Sequence, residues 1–331
     1  MSHSSLDLYI HSDSSLQGLN LLEPHKSADL LSLESSGDEG PWETLFRFSP
    51  SVRTACINGE QTYFLSDTGS IFKNHLFADS LEASEPVADI RRELKQPQIA
   101  AMGDCLYLFG QDARGHPYAA ICRLDEKSKW KQVPYPPNLH EPLHLGTARG
   151  RLWALGETEQ GRAARIVSHT QDGALLWQNL SPEVLRQGKI LALSVGSETL
   201  IAGMSATDPD RLTIFAKPDR RWISGEWLPA AKIPYRTDPV FLYAGLNQSF
   251  LVERLEDHQE IALHTYCKDG KGRLIENFYN RAPLPFPMEL EGIDFAAGHL
   301  LLLGRMLPGR TFTLLSGRVR NLLQNHTPAR R

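Results

Sequence analysis

Six times between Gly59 and Gly298 the sequence repeats one short pattern: apolar residues, a glycine at a tight turn, then a second apolar run. ACINGEQTYFL carries Gly59, AAMGDCLYLFG Gly103, GTARGRLWALG Gly150, LSVGSETLIAG Gly196, LYAGLNQSFLV Gly245 and DFAAGHLLLLG Gly298, at spacings of 44, 47, 46, 49 and 53 residues. Glycine reaches the positive φ that tight β-turns need, so each copy reads as a hairpin. A period of this length marks a repeat architecture and restricts the chain more than any single motif does.

The second run often ends in another glycine, at Gly110, Gly156, Gly203 and Gly304, with Ser66 and Glu253 in the same slot elsewhere. A third run follows a variable loop: Ala119–Leu124, Ala164–Ser168, Leu212–Phe215, Ile261–Tyr266 and Thr311–Leu315. A polar turn comes next, and then a fourth run opened in several copies by Trp130, Trp177, and Trp222 or Trp227. Four short strands per unit, with no sustained helical period, predict an all-β fold, a β-propeller of four-stranded antiparallel blades. One such sheet cannot cover both of its faces, so neighbouring blades do it, with the tryptophans wedged between them.

The first fifty residues fit the frame more weakly, as strands at Leu6–Ile10, Leu16–Leu22, Ala28–Glu34 and Trp42–Phe48, with Ser14-Ser15 replacing the glycine. Counting them predicts a seven-bladed ring with blades at about 4–48, 51–95, 98–135, 143–180, 189–230, 238–283 and 291–325. That is one domain over 1–325 and a flexible tail over 326–331. The alternative is a six-bladed ring with an N-terminal extension.

Composition narrows the function classes. A formal charge of −4 argues against a phosphate-seeking surface, and so against nucleic acid. The apolar run His299–Gly304 is far shorter than the ~20 residues of a membrane-spanning helix, and the N-terminus lacks a basic n-region. Cys56, Cys105, Cys122 and Cys267 fit no CxxC spacing. Cys105 and Cys122 could face each other across one hairpin, but reduced thiols and a cytoplasmic setting are the expectation. His140 with His144, and His264 with Cys267, supply no convergent metal set. No G-x-S-x-G, P-loop or dinucleotide fingerprint occurs, and no cofactor is expected.

The stretch from Asp104 to Pro137 resembles a kelch repeat. Leu106-Tyr107-Leu108-Phe109 is the aromatic-bearing strand; Gly110, a third strand, the acidic turn at Asp125-Glu126, and Trp130 before prolines follow. The resemblance runs from about Ile99 to Trp227, with the glycine pair of the kelch and galactose-oxidase type reduced to a single glycine. It implies a propeller that binds another protein through the loops of one face. The copper site of galactose oxidase, with its tyrosine and histidine ligands, has no residue-by-residue counterpart here.

The expected function is therefore a non-enzymatic protein–protein interaction platform, a scaffold with one binding face. The loops between second and third strands, and the connections between blades, place Arg114, His116, Arg162, Asp208, Asp210, Tyr235, Arg236 and Arg310 on that face as candidate binding residues. The alternative is a carbohydrate-binding or carbohydrate-active propeller, lectin-like or of glycosidase or lyase type. Ser66-Asp67-Thr68-Gly69-Ser70 and Thr170–Trp177 approach the Asp-box of sialidase propellers, with different spacing. The central depression discriminates: an enzyme should gather carboxylates or arginines with perturbed environments there, and a platform should not.

Overall fold

Blade follows blade around a ring of six four-stranded antiparallel sheets in the computed structural model. It describes residues 41–48, 52–59, 61–76, 86–90, 92–124, 129–148, 151–169, 175–185, 188–196, 198–218, 226–236, 240–245, 248–255, 257–269 and 273–323. Among the described residues, strand β1 (Trp42–Phe48) precedes the first blade. Blade 1 is β2 (Val52–Asn58), β3 (Gln61–Ser66), β4 (Ser70–His75) and β5 (Pro86–Asp89). Blade 2 is β6 (Lys95–Met102), β7 (Cys105–Gln111), β8 (Pro117–Arg123) and β9 (Trp130–Gln132). Blade 3 is β10 (Glu141–Ala148), β11 (Arg151–Thr158), β12 (Gly161–His169) and β13 (Leu175–Asn179). Blade 4 is β14 (Lys189–Val195), β15 (Glu198–Ser205), β16 (Asp208–Pro218) and β17 (Leu228–Pro234). Blade 5 is β18 (Val240–Ala244), β19 (Ser249–Arg254), β20 (Glu260–Lys268) and β21 (Leu274–Pro283). Blade 6 is β22 (Met288–Ala296), β23 (His299–Met306) and β24 (Phe312–Arg318), completed by β1.

Among the described residues there are six blades, and the seventh expected at 4–48 is not among them. Of its four expected strands only Trp42–Phe48 lies within the described residues, and it pairs antiparallel with β24, from Trp42 opposite Gly317 to Phe48 opposite Phe312. The physical reason lies at the other end of the chain. After β24 the chain turns into the short helix α1 (Val319–Leu323), so blade 6 has no fourth strand of its own. An unpaired outer edge would expose its N–H and C=O groups, and the N-terminal strand covers them. The six-bladed alternative is the observed one; Leu6–Ile10, Leu16–Leu22, Ala28–Glu34 and the 326–331 tail lie outside the described residues.

Each seam between blades buries its own apolar cluster. Leu106, Leu108 and Ile99 meet Tyr63 and Ile71 between blades 1 and 2, and Leu301, Leu303 and Phe312 meet Val52 and Phe64 between blades 6 and 1. The tryptophans tie these seams together. Trp130 Nε1 donates to the Asp89 carbonyl at 3.0 Å, and Trp177 Nε1 to that of Pro134 at 3.0 Å, with its ring edge-on to Phe109. Cys105 stands opposite Arg123, and Cys122 opposite Leu106, so the two thiols are not paired across the hairpin and all four cysteines are free. Among the described residues no helix is long and apolar enough to cross a membrane.

One irregularity recurs and positions the site. The inner strands β2, β6, β10, β14 and β22 each carry a bulge near their start: between Val52 and Thr54, Lys95 and Gln98, Pro142 and His144, Ile190 and Ala192, and Leu290 and Gly292. A bulge inserts an unpaired residue and re-aims its side chain. It also crowds the second strand beside it. A Cβ on Gly156 would come 2.5 Å from the Glu141 carbonyl oxygen, and one on Gly203 2.8 Å from that of Lys189. Glycine near the end of the second strand fits beside these bulges, and in blade 1 the slot opposite Val52 holds the small Ser66. Strand β18 has no bulge, and there the slot opposite Val240 holds Glu253.

Candidate active site in the central channel

The six inner strands surround a cavity of about 570 Å³. Its walls mix Ala, Leu, Ile and Val with polar, charged and aromatic side chains. The bulged residues Arg53, Gln96, Leu143, Leu191 and Glu291 all line it, at the end where the inner strands begin. Arg305, at the far end of β23, lines the same region. Its Nε holds Glu291 Oε1 at 2.5 Å, while Nη1 and Nη2 donate to the carbonyls of Val52 and Arg53 at 3.1 and 2.9 Å, joining blade 6 to blade 1. Burial pushes the Glu291 carboxyl upward, against the opposing pull of Arg305.

Further along β22, three residues or roughly 10 Å of strand from Glu291, sits Asp294. Burial pushes its carboxyl up to about 7, although the Phe295 N–H donates to Oδ1 at 2.7 Å and pulls the other way. Cys56 on β2 and Tyr243 on β18 are near enough to feel it: burial raises both, and the Asp294 charge raises them further. The ring of Tyr243 packs on Phe295 at 5.6 Å. This end of the channel thus combines a carboxyl group poised at neutrality with a thiol and a phenol kept protonated.

Between the two ends, His144 of blade 3 meets Phe241 of blade 5 edge-on, with ring centroids 5.4 Å apart. These blades are not neighbours, so the contact spans the channel. Burial, helped by the Arg162 charge, holds His144 down to about 4, and the imidazole is neutral at ordinary pH. The indole of Trp153 also enters the wall, because its partner across the β10–β11 pair is Gly146, where a side chain would collide with the indole. Among the described residues no group of three or more His, Cys, Asp or Glu side chains is placed to hold a metal.

The loop residues singled out from the sequence are distributed otherwise. Arg114 and His116 sit on the β7–β8 turn, where their backbone N–H groups donate to Asp112 Oδ1. Asp208 pairs with Lys232 at 3.2 Å, and the Asp210 carbonyl accepts from the Tyr235 N–H. Arg236 donates to the Tyr279 hydroxyl at 2.6 Å, and Arg310 lies 3.8 Å from Glu289. Of the eight, Arg162 alone lines the channel, with its Nε on Glu157 at 2.8 Å. The structure brings Arg162 to the cavity, leaves Asp208 and Asp210 at the start of β16, and puts the other five on turns and connections around the ring. Sequence reasoning missed Arg53, Glu291, Asp294 and Arg305. The signal available was a charged residue inside an inner-strand run, as in GIDFAAG and SVRTACING.

No family model matches the sequence, and no curated protein does. Among solved structures, the chain is similar to the PQQ-bound form of an aldose sugar dehydrogenase from Streptomyces coelicolor. The TM-score is 0.53 at 11% identity, over 84% of this chain and 98% of that one. It is similar also to an oxidoreductase assigned as a glucose dehydrogenase from Thermus thermophilus. There the TM-score is 0.52 at 12% identity, over 84% and 99% of the two chains. At these identities the likeness shows the fold: a β-propeller. The kelch identity of the repeats gains no support.

The interaction-platform reading is corrected here. Two of the fold neighbours are sugar-dehydrogenase propellers, and the central depression gathers Glu291 and Asp294, both with raised carboxyls, among Arg53, Arg162 and Arg305. A plain loop-face scaffold does not need such a gathering in its central depression.

Proposed function

We propose that the protein is a carbohydrate-active propeller whose central channel takes a small sugar and presents it to Asp294. The observation that carries this reading is the Asp294 carboxyl, held at about 7 inside a cavity walled by aromatic and aliphatic side chains. Near neutral pH such a group both gives and takes a proton, the property of an acid–base residue. Trp153, Phe241 and Tyr243 supply the apolar faces on which the C–H side of a sugar ring packs, and Gln98, Thr54 and Ser194 offer hydrogen bonds to hydroxyls. The cavity is large enough for one or two sugar rings.

The quinone cofactor named for the Streptomyces structure does not fit these residues. A planar tricarboxylate needs several free counter-charges, and Arg305 is spent on Glu291 and two backbone carbonyls while Arg162 is engaged by Glu157. The reading therefore runs through the chain's own groups: Asp294 for the proton, and the rings and amides for orientation.

Calorimetric titration and thermal shift with a panel of mono- and disaccharides, neutral and acidic, test it. At least one sugar should bind, with an affinity that changes around pH 7 in the wild type. Asp294→Asn should lower that affinity about tenfold, as for a lost hydrogen bond to a charged group, and abolish the pH step. If no sugar in the panel binds, or if Asp294→Asn leaves affinity and pH profile unchanged, the reading is wrong.

A further inference from the structure

The five bulged residues form a collar at one mouth of the channel, and the collar has two sectors. Glu291, Arg53 and Gln96 come from the consecutive blades 6, 1 and 2, whereas Leu143 and Leu191 come from blades 3 and 4. The polar sector is not electrically balanced. Glu291 is neutralised by Arg305, whose remaining donors are taken by the backbone of the β2 bulge. Arg53 donates to the Leu94 carbonyl at 2.5 Å and has no carboxylate partner among the described residues. It is a half-buried guanidinium in a cavity wall with one neutral acceptor. Taking a cation partly out of water without a counter-charge is costly, and a ligand anion would remove that cost. Beside it, Gln96 is held at φ 46, a left-handed conformation for a residue with a side chain. Such strain persists where the surrounding structure imposes it, commonly at ligand clamps.

We infer that this collar is an anion-reading subsite, and that the channel's ligand is a sugar bearing a carboxylate or a phosphate, with the anion on Arg53. The inference rests on the carbohydrate reading above and adds the charge of the ligand to it. A planar guanidinium matches either anion through two parallel N–H donors. Gln96 adds an amide donor on the same side, while Leu143 and Leu191 face the apolar edge of the sugar. The two halves of the ligand are thereby told apart: the anion stays at the collar and the ring points inward, on the side of Asp294.

Titration of the wild-type protein with glucose, glucuronate and a hexose phosphate, each at low and at high salt, decides the matter. An anionic sugar should bind about tenfold tighter than glucose, as for a charge-assisted hydrogen bond, and the advantage should shrink with salt. Preference for glucuronate alone assigns the carboxylate source, and preference for the phosphate alone assigns the other. Arg53→Gln should collapse the ratio of anionic to neutral affinity, and Arg53→Lys should keep part of it. Because Arg53 also links blade 1 to Leu94, Arg53→Gln could fail to fold; the wild-type ratio and the lysine variant then carry the test. Glucose binding as tightly as both anionic sugars would overturn the subsite and leave the sugar reading standing. Anionic preference surviving Arg53→Gln would overturn the assignment to Arg53. Failure of every sugar to bind would remove both.

Discussion

Blade 5 and blades 2, 3, 4 and 6 solve the same packing position in opposite ways. In the four, the inner strand bulges, its carbonyl presses on the end of the second strand, and glycine is what fits: Gly110, Gly156, Gly203 and Gly304. In blade 5 the inner strand runs straight, and the space goes to Glu253. A buried glutamate needs partners, and the sheet supplies them. His264 Nε2 lies 3.0 Å from Glu253 Oε2, and Nδ1 lies 2.6 Å from Glu276 Oε1, so one imidazolium links β19, β20 and β21. The Tyr279 ring covers His264 at 4.8 Å, and Arg236 caps the tyrosine. In blades 2, 3, 4 and 6 the bulge and the glycine go together; blade 1 has the bulge with the small side chain of Ser66 in the slot. These four blades send a side chain to the channel mouth and forgo one in the blade, whereas the straight blade 5 does the reverse.

Breaking the blade 5 arrangement should have the largest effect. Glu253 is fully buried and the His264 side chain is 6% exposed, so Glu253→Ala leaves a buried cation with Glu276 alone. Removing one member of a buried ion pair costs about 3–5 kcal/mol, and urea unfolding should show a loss of that order. Replacing both Glu253 and His264 by leucine should recover much of it, because the uncompensated charge goes too. A loss for Glu253→Ala within ~0.5 kcal/mol would mean that the triad holds nothing.

The bulged side of the comparison is tested by adding a single methyl group. In Gly304→Ala the new Cβ would collide with the Glu289 carbonyl and crowd Met288. Forcing atoms into a packed position costs about 1–3 kcal/mol, and relief has to come from the bulge itself. Thermal melts should show the loss. Because Glu291 belongs to that bulge, ligand affinity at the collar should fall with it. Alanine tolerated at 304 without either change would break the link between glycine and bulge.

How much of this was legible follows from which interactions are local. The repeat was legible because hairpin turns are local: Gly59, Gly103 and Gly298 have φ of 62, 55 and 80. Gly196 and Gly245 read the same way but for another reason, since neighbouring carbonyls leave no room for a side chain there. Blade number was not legible at the N-terminus, because the pairing of Trp42–Phe48 with β24 joins residues that are distant in sequence. The channel was hidden by the bulges. A strand read with period two assigns alternate residues to alternate faces, and one inserted residue resets that assignment. Arg53 and Glu291 sit at such insertions, so the alternation gives no warning that they line the cavity. Glu253 was visible as the departure from the glycine slot, but its partners were not, since His264 and Glu276 reach it across strands.

The smallest expected effect concerns the charge state of blade 5. Burial alone would lower the pKa of His264, but the hydrogen bonds its ring donates to Glu253 and Glu276, and the charges of both, outweigh it and hold the group above its ordinary value. A histidine raised in the folded state contributes stability that is fully present below the unfolded value of about 6.5 and is lost as pH rises through the folded value. Two channel groups act over other windows. His144, held down to about 4, erodes stability as pH falls from about 6.5 toward 4. Asp294, raised to about 7, has a contribution that declines as pH rises from about 4 to 7. Neither explains a decline that continues above 7. Urea midpoints of the wild type and of His264→Gln, compared from pH 6 to 9, isolate the triad, because the channel groups are common to both proteins. The wild type should lose its advantage over the variant as pH rises, by on the order of 1 kcal/mol, the size of an ordinary net hydrogen bond. Parallel curves across that range would mean that His264 is held by geometry alone and carries no charge between its two glutamates.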